Sequence, residues 1–399
     1  VSYSGSYQTE VFRQGGSPFP FTVGGLEREA KSALPEKYFD YIAGGAGCEN
    51  TVAANRAAFT RWGLIYRVLR DGIPADPGCE LFGARLSMPV LLAPAGVGEL
   101  AHREAETAAA RAAAEVGVAQ VLSAVASSSL EQVAQAAPHG TRWFQFAWPD
   151  DEKLARSLIA RTEAAGYGAI MVMGDCYAAG WRTRELSAGF FPFDHCYGLG
   201  NYLSDPRFWE LIGQPMDVQG DDIPDMSRVA RSVAATAAST WNRVFAKPAL
   251  TVTDIEQLRT WTRLPILVKG VCHPGEAAAL IDAGVDGLVV SNHGGRQLDN
   301  CVAALDCLPG VVEAVGDRVP VLFDSGVRTG TDVLIALALG AKAVMIGRPW
   351  LYGLAIGGQA GVTHVLRCIH AELTSALTLT GHRRADTLST DDLTRTALA

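Results

Sequence analysis

The stretch PILVKGVCHPGEAAALIDAGVDGLVVSNHGGRQ, Pro265 to Gln297, sets two short apolar runs on either side of an Ala-rich segment of helical period. Each run ends in a residue suited to chemistry, Lys269 after Pro265–Val268 and Ser291 after Gly287–Val290. Such a pattern predicts a buried strand, a crossover helix and a second, parallel strand. The rhythm recurs outward along the chain at Val90–Ala93, Ala119–Leu122, Arg142–Phe146, Ala169–Met173, Pro320–Phe323 and Ala343–Ile346. The carboxyl ends carry Pro94, Ser123, Gln145, Asp175, Lys269, Ser291, Asp324 and Gly347. Eight such units favour an α/β fold of the (β/α)8 TIM-barrel type, whose reactive face lies at the strand carboxyl ends. A doubly wound sheet is the rival, because alternation alone does not dictate closure. Chemistry at every strand end decides for the barrel.

Residues 1–87 read as an appendage. A polar, Gly-rich start precedes GLEREAKSALPEKYFDYIAGGAG, helical segments broken by Pro35 and stopped by Gly44, Gly45 and Gly47, which predicts a helical cap. The barrel takes 88–382 and a tail 383–399. Lys269 follows Asp175 at an interval of 94 residues, too long for one crossover, so an insertion is placed at about 183–250. It is rich in aromatics (Phe190, Phe191, Phe193, Tyr197, Tyr202, Phe208, Trp209), then polar through GQPMDVQGDDIPDMS, and reads as a lid or as an extra packing layer. Thr253 and Glu256 form a capping-box pattern that starts the next helix.

Composition bounds the function. Of 399 residues 48% are hydrophobic and 19% charged, a globular balance, and a net charge of -8 without basic runs argues against nucleic acid. The eight cysteines are scattered, with no zinc spacing, so no metal site is expected and free thiols in a reducing, cytoplasmic setting are the simplest reading. No apolar stretch is long enough to span a membrane, and the polar start lacks the pattern of a secretory leader, although Val1 in place of Met leaves room for a removed segment.

The chemical core is Ser291-Asn-His293-Gly-Gly-Arg296-Gln297. An imidazole just beyond a strand end, followed by two glycines and a cation, sets an acid/base group beside an anion clamp. A structural histidine and an ordinary turn would explain either feature alone but not the combination. Lys269 is suited to stabilising negative charge developed in the reaction, with a snorkelling strand-end lysine as the plain alternative. The loops Phe323-Asp324-Ser-Gly326-Val-Arg328 and Ile346-Gly347-Arg348-Pro349 follow the seventh and eighth strands, where barrels often hold phosphate.

Together SNHGGRQ, LVKG, FDSGVRTGTDV, IGRP and GWRTREL resemble the FMN-dependent α-hydroxy acid oxidising enzymes over about residues 25–385. The segment FFPF…NYLSDPRFW is most similar to the lactate 2-monooxygenase branch. The resemblance implies FMN across the barrel mouth, contacted by Pro94, Ala95, Gly96, Ser123, Gln145, Met173 and Ser291. It implies Asp324 near the ribityl chain and Gly326, Arg328, Gly347 and Arg348 at the phosphate. It also implies Lys269 beside the flavin pyrimidine, His293 as the base with Asp175 stabilising its protonated form, and Arg182, Arg296 and Tyr41 on the substrate carboxylate. A homotetramer or larger homo-oligomer is implied as well.

Two positions depart from the family. Ala147 stands where a substrate-binding Tyr is usual, and Met173 where a Thr faces the flavin. Both suggest a specialised, larger substrate or a weakened activity towards lactate. The expected reaction is oxidation of an (S)-2-hydroxy acid by O2 with oxidative decarboxylation. The alternatives are a simple oxidase releasing 2-oxo acid and peroxide, a membrane-linked dehydrogenase, and a flavin-binding protein without turnover.

Overall fold

A computed structural model of the chain describes residues 5–70, 75–214, 231–248 and 250–396. Eight parallel strands close a barrel: Val90–Leu92, Ala119–Leu122, Arg142–Phe146, Ile170–Met173, Ile266–Lys269, Gly287–Val290, Val321–Phe323 and Ala343–Ile346. They are numbered one to eight below. Each strand pairs in parallel with its sequence neighbours, and strand eight closes on strand one through Val344↔Val90 and Ile346↔Leu92. The doubly wound alternative is thereby excluded.

Side-chain alternation along these strands builds two cores. Leu91, Val121, Trp143, Met171, Leu267, Val289, Leu322 and Met345 fill the barrel interior. Their neighbours Leu92, Leu122, Phe144, Val172, Val268, Leu288 and Phe323 face the surrounding helices. A hairpin of Cys79–Leu81 and Ala84–Leu86 closes the amino-terminal end, with the Phe82 ring 5.5 Å from Trp143. Because the interior is packed and floored, only the layer beyond Val121, Trp143, Met171, Leu267, Val289 and Leu322 remains open, and that layer is Ser123, Gln145, Met173, Lys269, Ser291 and Asp324.

The cap helices run Val23–Ala33 and Glu36–Ala43, parted at Pro35. Tail and cap share structure, since Leu393–Arg395 pairs antiparallel with Trp62–Leu64. The insertion forms short helices and Arg231–Val244, with its aromatics stacked on one another. Phe193 lies 4.2 Å from Trp241, and Tyr202 5.6 Å from Phe208, so the described part of the segment packs on itself, and its Phe191, Phe193 and Trp241 also reach the cavity at the strand ends. Most of the polar stretch GQPMDVQGDDIPDMS lies outside the described residues. The following helix starts two residues earlier than its pattern suggested. Its N-cap is Thr251, in a capping box with Asp254, because Asp254 accepts from the Thr251 backbone at 2.7 Å and also pairs with Lys247.

Candidate active site

At the carboxyl ends of the strands lies a cavity of about 650 Å³. Its reactive end hangs on Lys269, the last residue of strand five and only 3% exposed, which excludes a snorkelling role. Its ammonium donates to Asp175 Oδ2 at 2.9 Å and Ser291 Oγ at 2.9 Å, and lies 3.5 Å from Asp324 Oδ2. Burial alone would depress this ammonium, but Asp175 and Asp324 carry its pKa above the ordinary lysine value.

Asp175 turns its other oxygen to His293, Oδ1 to Nδ1 at 3.0 Å. Burial alone would raise its carboxyl, yet Lys269 and His293 hold it well below the usual range. The imidazole follows strand six in a short turn where His293, Gly294 and Gly295 have φ of 56°, 62° and 75°. Left-handed backbone disfavours side chains, so His293 is held there at a cost, by its own N–H on Ser291 Oγ at 3.0 Å. Gly295 serves the cap more than any ligand, since a Cβ there would meet Val52 N at 2.8 Å. With Nδ1 tied to Asp175, Nε2 is the nitrogen left to accept a proton. Burial lowers the His293 pKa, opposed by Asp175 and reinforced by Lys269, so the imidazole rests neutral, as a base must.

Across the cavity stand the two arginines expected as a carboxylate clamp. Arg296 donates to the carbonyls of Tyr41 at 2.6 Å and Gly44 at 2.9 Å, and lies over the Tyr41 ring. Arg182 donates to Arg296 O at 3.2 Å and to Gln297 Oε1 at 3.1 Å. Glu185, which the sequence reading passed over, lies 3.2 Å from Arg296 and 3.6 Å from Arg182. The Arg182-Thr-Arg-Glu185 spacing, one helical turn, was its available signal. Burial and the neighbouring Arg182 pull the Arg296 pKa down to about 10, a measure of how much the pair needs an anion. Tyr41 also lines the cavity from the cap helix.

Beyond strands seven and eight, Arg328 and Arg348 are both half-buried at the cavity wall. Burial and Arg328 bring the Arg348 pKa to about 10, and burial likewise lowers that of Arg328. Arg348 anchors the cap by donating to Ala43 O at 3.0 Å, Gly44 O at 2.7 Å and Gly294 O at 2.9 Å, while Arg328 donates to Val327 O. Both retain N–H donors beyond these bonds.

Of the residues singled out from sequence, Tyr41, Pro94, Ala95, Gly96, Ser123, Gln145, Met173, Arg182, Lys269, His293, Arg296, Asp324, Gly326, Arg328, Gly347 and Arg348 line the one cavity. Asp175 and Ser291 stand behind Lys269 and His293. Ala147 follows strand three, which ends at Phe146; it is buried and is not among the residues that line the cavity. Cys176, with Sγ 3.4 Å from His293 Nδ1, lines the cavity, but burial and Asp175 push its pKa well above the usual thiol value, so it stays protonated. All eight cysteines are free.

The wall fits FMN on three grounds. Gln145 Nε2 is buried without a partner while its Oε1 accepts from Ser123, leaving a donor for a heterocycle. The crowded Arg328 and Arg348 call for a phosphate. A Cβ at Gly347 would meet nothing nearer than Ala93 at 3.9 Å, so the glycine leaves open space there.

Comparison with known proteins agrees. Residues 30–395 match the family described as FMN-dependent dehydrogenase. The chain is 40% identical over 398 residues, 98% of its length and 96% of the relative's, to the FMN-dependent alpha-hydroxy acid dehydrogenase qulF of Penicillium citrinum. It is 40% identical to an L-lactate oxidase of Lysinibacillus sphaericus, covering 95% of this chain and 94% of that one. A crystal structure of mandelate oxidase superposes with a TM-score of 0.78 at 34% identity, covering 95% of this chain and all of the other.

Proposed function

The chain belongs to the FMN-dependent dehydrogenase family, and from that premise we propose that it oxidises an (S)-2-hydroxy acid at the expense of O2, with decarboxylation of the product in the same closed site. The observation that carries the reading is the relay from Lys269 through Asp175 to His293, at 2.9 and 3.0 Å, facing two arginines across one cavity. FMN bound here supplies a two-electron acceptor that O2 recharges. Pro94, Ala95, Gly96, Ser123, Gln145 and Met173 would hold its rings, Asp324 its ribityl chain, and Gly326, Arg328, Gly347 and Arg348 its phosphate.

Arg182, Arg296 and the Tyr41 hydroxyl orient the substrate carboxylate. That fixes the carbon bearing the hydroxyl against His293, whose Nε2 takes up the proton, and Asp175 stabilises the resulting imidazolium. Lys269 sets a fixed positive charge where negative charge accumulates. Phe191, Trp241 and Phe245 wall the cavity from the insertion side. Such a wall favours retention of 2-oxo acid and peroxide until they react, so that hydroxy acid plus O2 gives the shortened carboxylate, CO2 and water. The second reading, a simple oxidase releasing 2-oxo acid and hydrogen peroxide, is favoured by relatives named as oxidases. A cytoplasmic homotetramer or larger assembly accords with the scattered free thiols and with the family resemblance.

Anaerobic titration with (R)- and (S)-2-hydroxy acids, followed by flavin absorption, tests the reading, with peroxide and CO2 assayed once O2 is admitted. Bleaching by an (S)-acid with CO2 release is expected, and free peroxide in stoichiometric yield would select the oxidase. His293→Ala separates enzyme from passive flavin carrier: equal behaviour of variant and parent towards every acid defeats the enzymatic reading.

A further inference from the structure

A second cavity of about 330 Å³ lies against the outer face of strands four and five. Val172 and Val268, which point away from the barrel interior, form its inner wall, and Leu250, Val252, Ile255 and Leu280 complete an aliphatic lining. Five residues line both this chamber and the reactive cavity: Met173, Cys176, Tyr177, Ala246 and Lys269. Two of the five touch the proton-transfer pair, Cys176 at 3.4 Å from His293 and Lys269 at 2.9 Å from Asp175. The partition therefore stands one side chain from where His293 acts. Met173, unbranched and rotatable, is the residue in it most able to swing aside.

We propose that this chamber receives the hydrocarbon tail of a straight-chain 2-hydroxy acid, which makes medium- to long-chain aliphatic 2-hydroxy acids the substrate class. The proposal rests on the function above, because the carboxylate and reacting carbon must sit at Arg182, Arg296 and His293. The chemistry of the lining selects the occupant. Its volume is at the small end of ligand pockets, which run from about 300 to 1,000 Å³. Of the charged groups on its wall, Lys247 is paired with Asp254, Lys269 with Asp175 and Asp324, and Glu276 is an exposed carboxylate, so among the described residues no unpaired cation awaits a charged tail end. A flexible chain can turn between Met173 and Ala246, where a rigid ring attached to the reacting carbon cannot.

Burial of a methylene is worth about 0.8 kcal/mol, or roughly fourfold in affinity. For the flavin-loaded enzyme, kcat/KM on straight-chain (S)-2-hydroxy acids from three to twelve carbons should rise about fourfold per methylene until the chamber fills. Dissociation constants of the matching carboxylic acids without the hydroxyl, read by thermal shift, should tighten in parallel. Ala279→Trp and Val252→Trp fill the chamber from positions exposed on its outer side and away from the reactive cavity. Both should abolish the long-chain gain while leaving lactate within twofold. Turnover of lactate with a flat or falling chain-length profile overturns the chamber and leaves the function standing. Survival of the full gain in both variants also overturns it. Acids that bind more tightly with length but never reduce the flavin uphold the chamber and overturn the function.

Discussion

Replacing Asp175 by Asn keeps the shape of the site and removes one charge. The carboxylate lies 3.0 Å from His293 Nδ1 and 2.9 Å from Lys269 Nζ. Lys269 keeps Ser291 at 2.9 Å and Asp324 at 3.5 Å, so the variant should fold and retain its flavin. The imidazolium formed by proton uptake, however, loses its counter-ion. A hydrogen bond to a charged group is worth about 1.5–3 kcal/mol, which sets a loss of at least about tenfold in the rate of flavin reduction. Coulomb attraction at 3.0 Å with an effective dielectric of about 20 amounts to about 5.5 kcal/mol, which caps the loss near 10⁴-fold. The sign of the pH effect follows from the causes of the His293 shift. Burial and Lys269 already lower its pKa and Asp175 opposes them, so removing Asp175 lowers it further. The base is active when neutral. The acid limb of the pH profile should thus move to lower pH while the plateau falls. Rapid mixing of anaerobic enzyme with substrate between pH 4.5 and 9 reads both. A plateau within threefold of the parent, or an acid limb displaced upward, would refute the assignment of Asp175 to the imidazolium.

Lys269→Met leaves Asp175 and Asp324 buried without their shared cation, and breaking a buried ion pair costs about 3–5 kcal/mol; chemical denaturation should show a loss of that size, together with slowed flavin reduction. Arg348→Met removes a cation from the proposed phosphate site, two donors from the cap and one from the loop after strand six, so flavin per chain after dialysis should fall and the cap loop should become protease-sensitive; unchanged flavin content would place the phosphate elsewhere. Glu106→Ala strips the acceptor from three backbone N–H groups, those of Gly98, Ser127 and Ser128, in the loops that follow strands one and two. Gly98 and Ser128 are buried and Ser127 is half-buried, so at about 1–3 kcal/mol for each unsatisfied buried donor stability should fall by at least about 2 kcal/mol, seen as a lower urea midpoint.

The barrel was legible because buried parallel strands leave an unusually plain trace, a run of four or five mostly apolar residues bounded by Gly, Pro or a polar side chain, and every strand begins or ends within a residue of its run. Chemistry at strand ends was legible for the same reason. What the sequence hid depends on tertiary context. TVTDIE holds two overlapping capping patterns, and the pairing of Asp254 with Lys247, seven residues earlier, selects the first one. Ala147 continues the alternation on paper, but the strand stops at Phe146. The second glycine of SNHGGRQ looks like room for a ligand and proves to be room for the cap at Val52. Glu185 carried a one-turn spacing to Arg182 but no sign that Arg296 would arrive from strand six.

The charges around the cavity close two separate balances, and both close only in the reacting state. At the base, Lys269 faces Asp175 and Asp324, leaving an excess of one negative charge while His293 is neutral; uptake of the proton brings the group to zero. At the clamp, Arg182 and Arg296 face Glu185, leaving an excess of one positive charge that a substrate carboxylate cancels. Each half holds one uncompensated charge in a buried setting, of the sign that the substrate's carboxylate or its departing proton neutralises. Without Glu185 the clamp would carry two adjacent cations with no counter-charge, and burial together with Arg182 brings Arg296 down to about 10 even with one carboxylate there. Such fixed charges, set before substrate arrives, need no reorganisation as the proton moves, which is the form in which electrostatics lowers a barrier. Tyr41 and the cap join the same balance, because the Arg296 that closes the clamp also binds the carbonyls ending the cap helix.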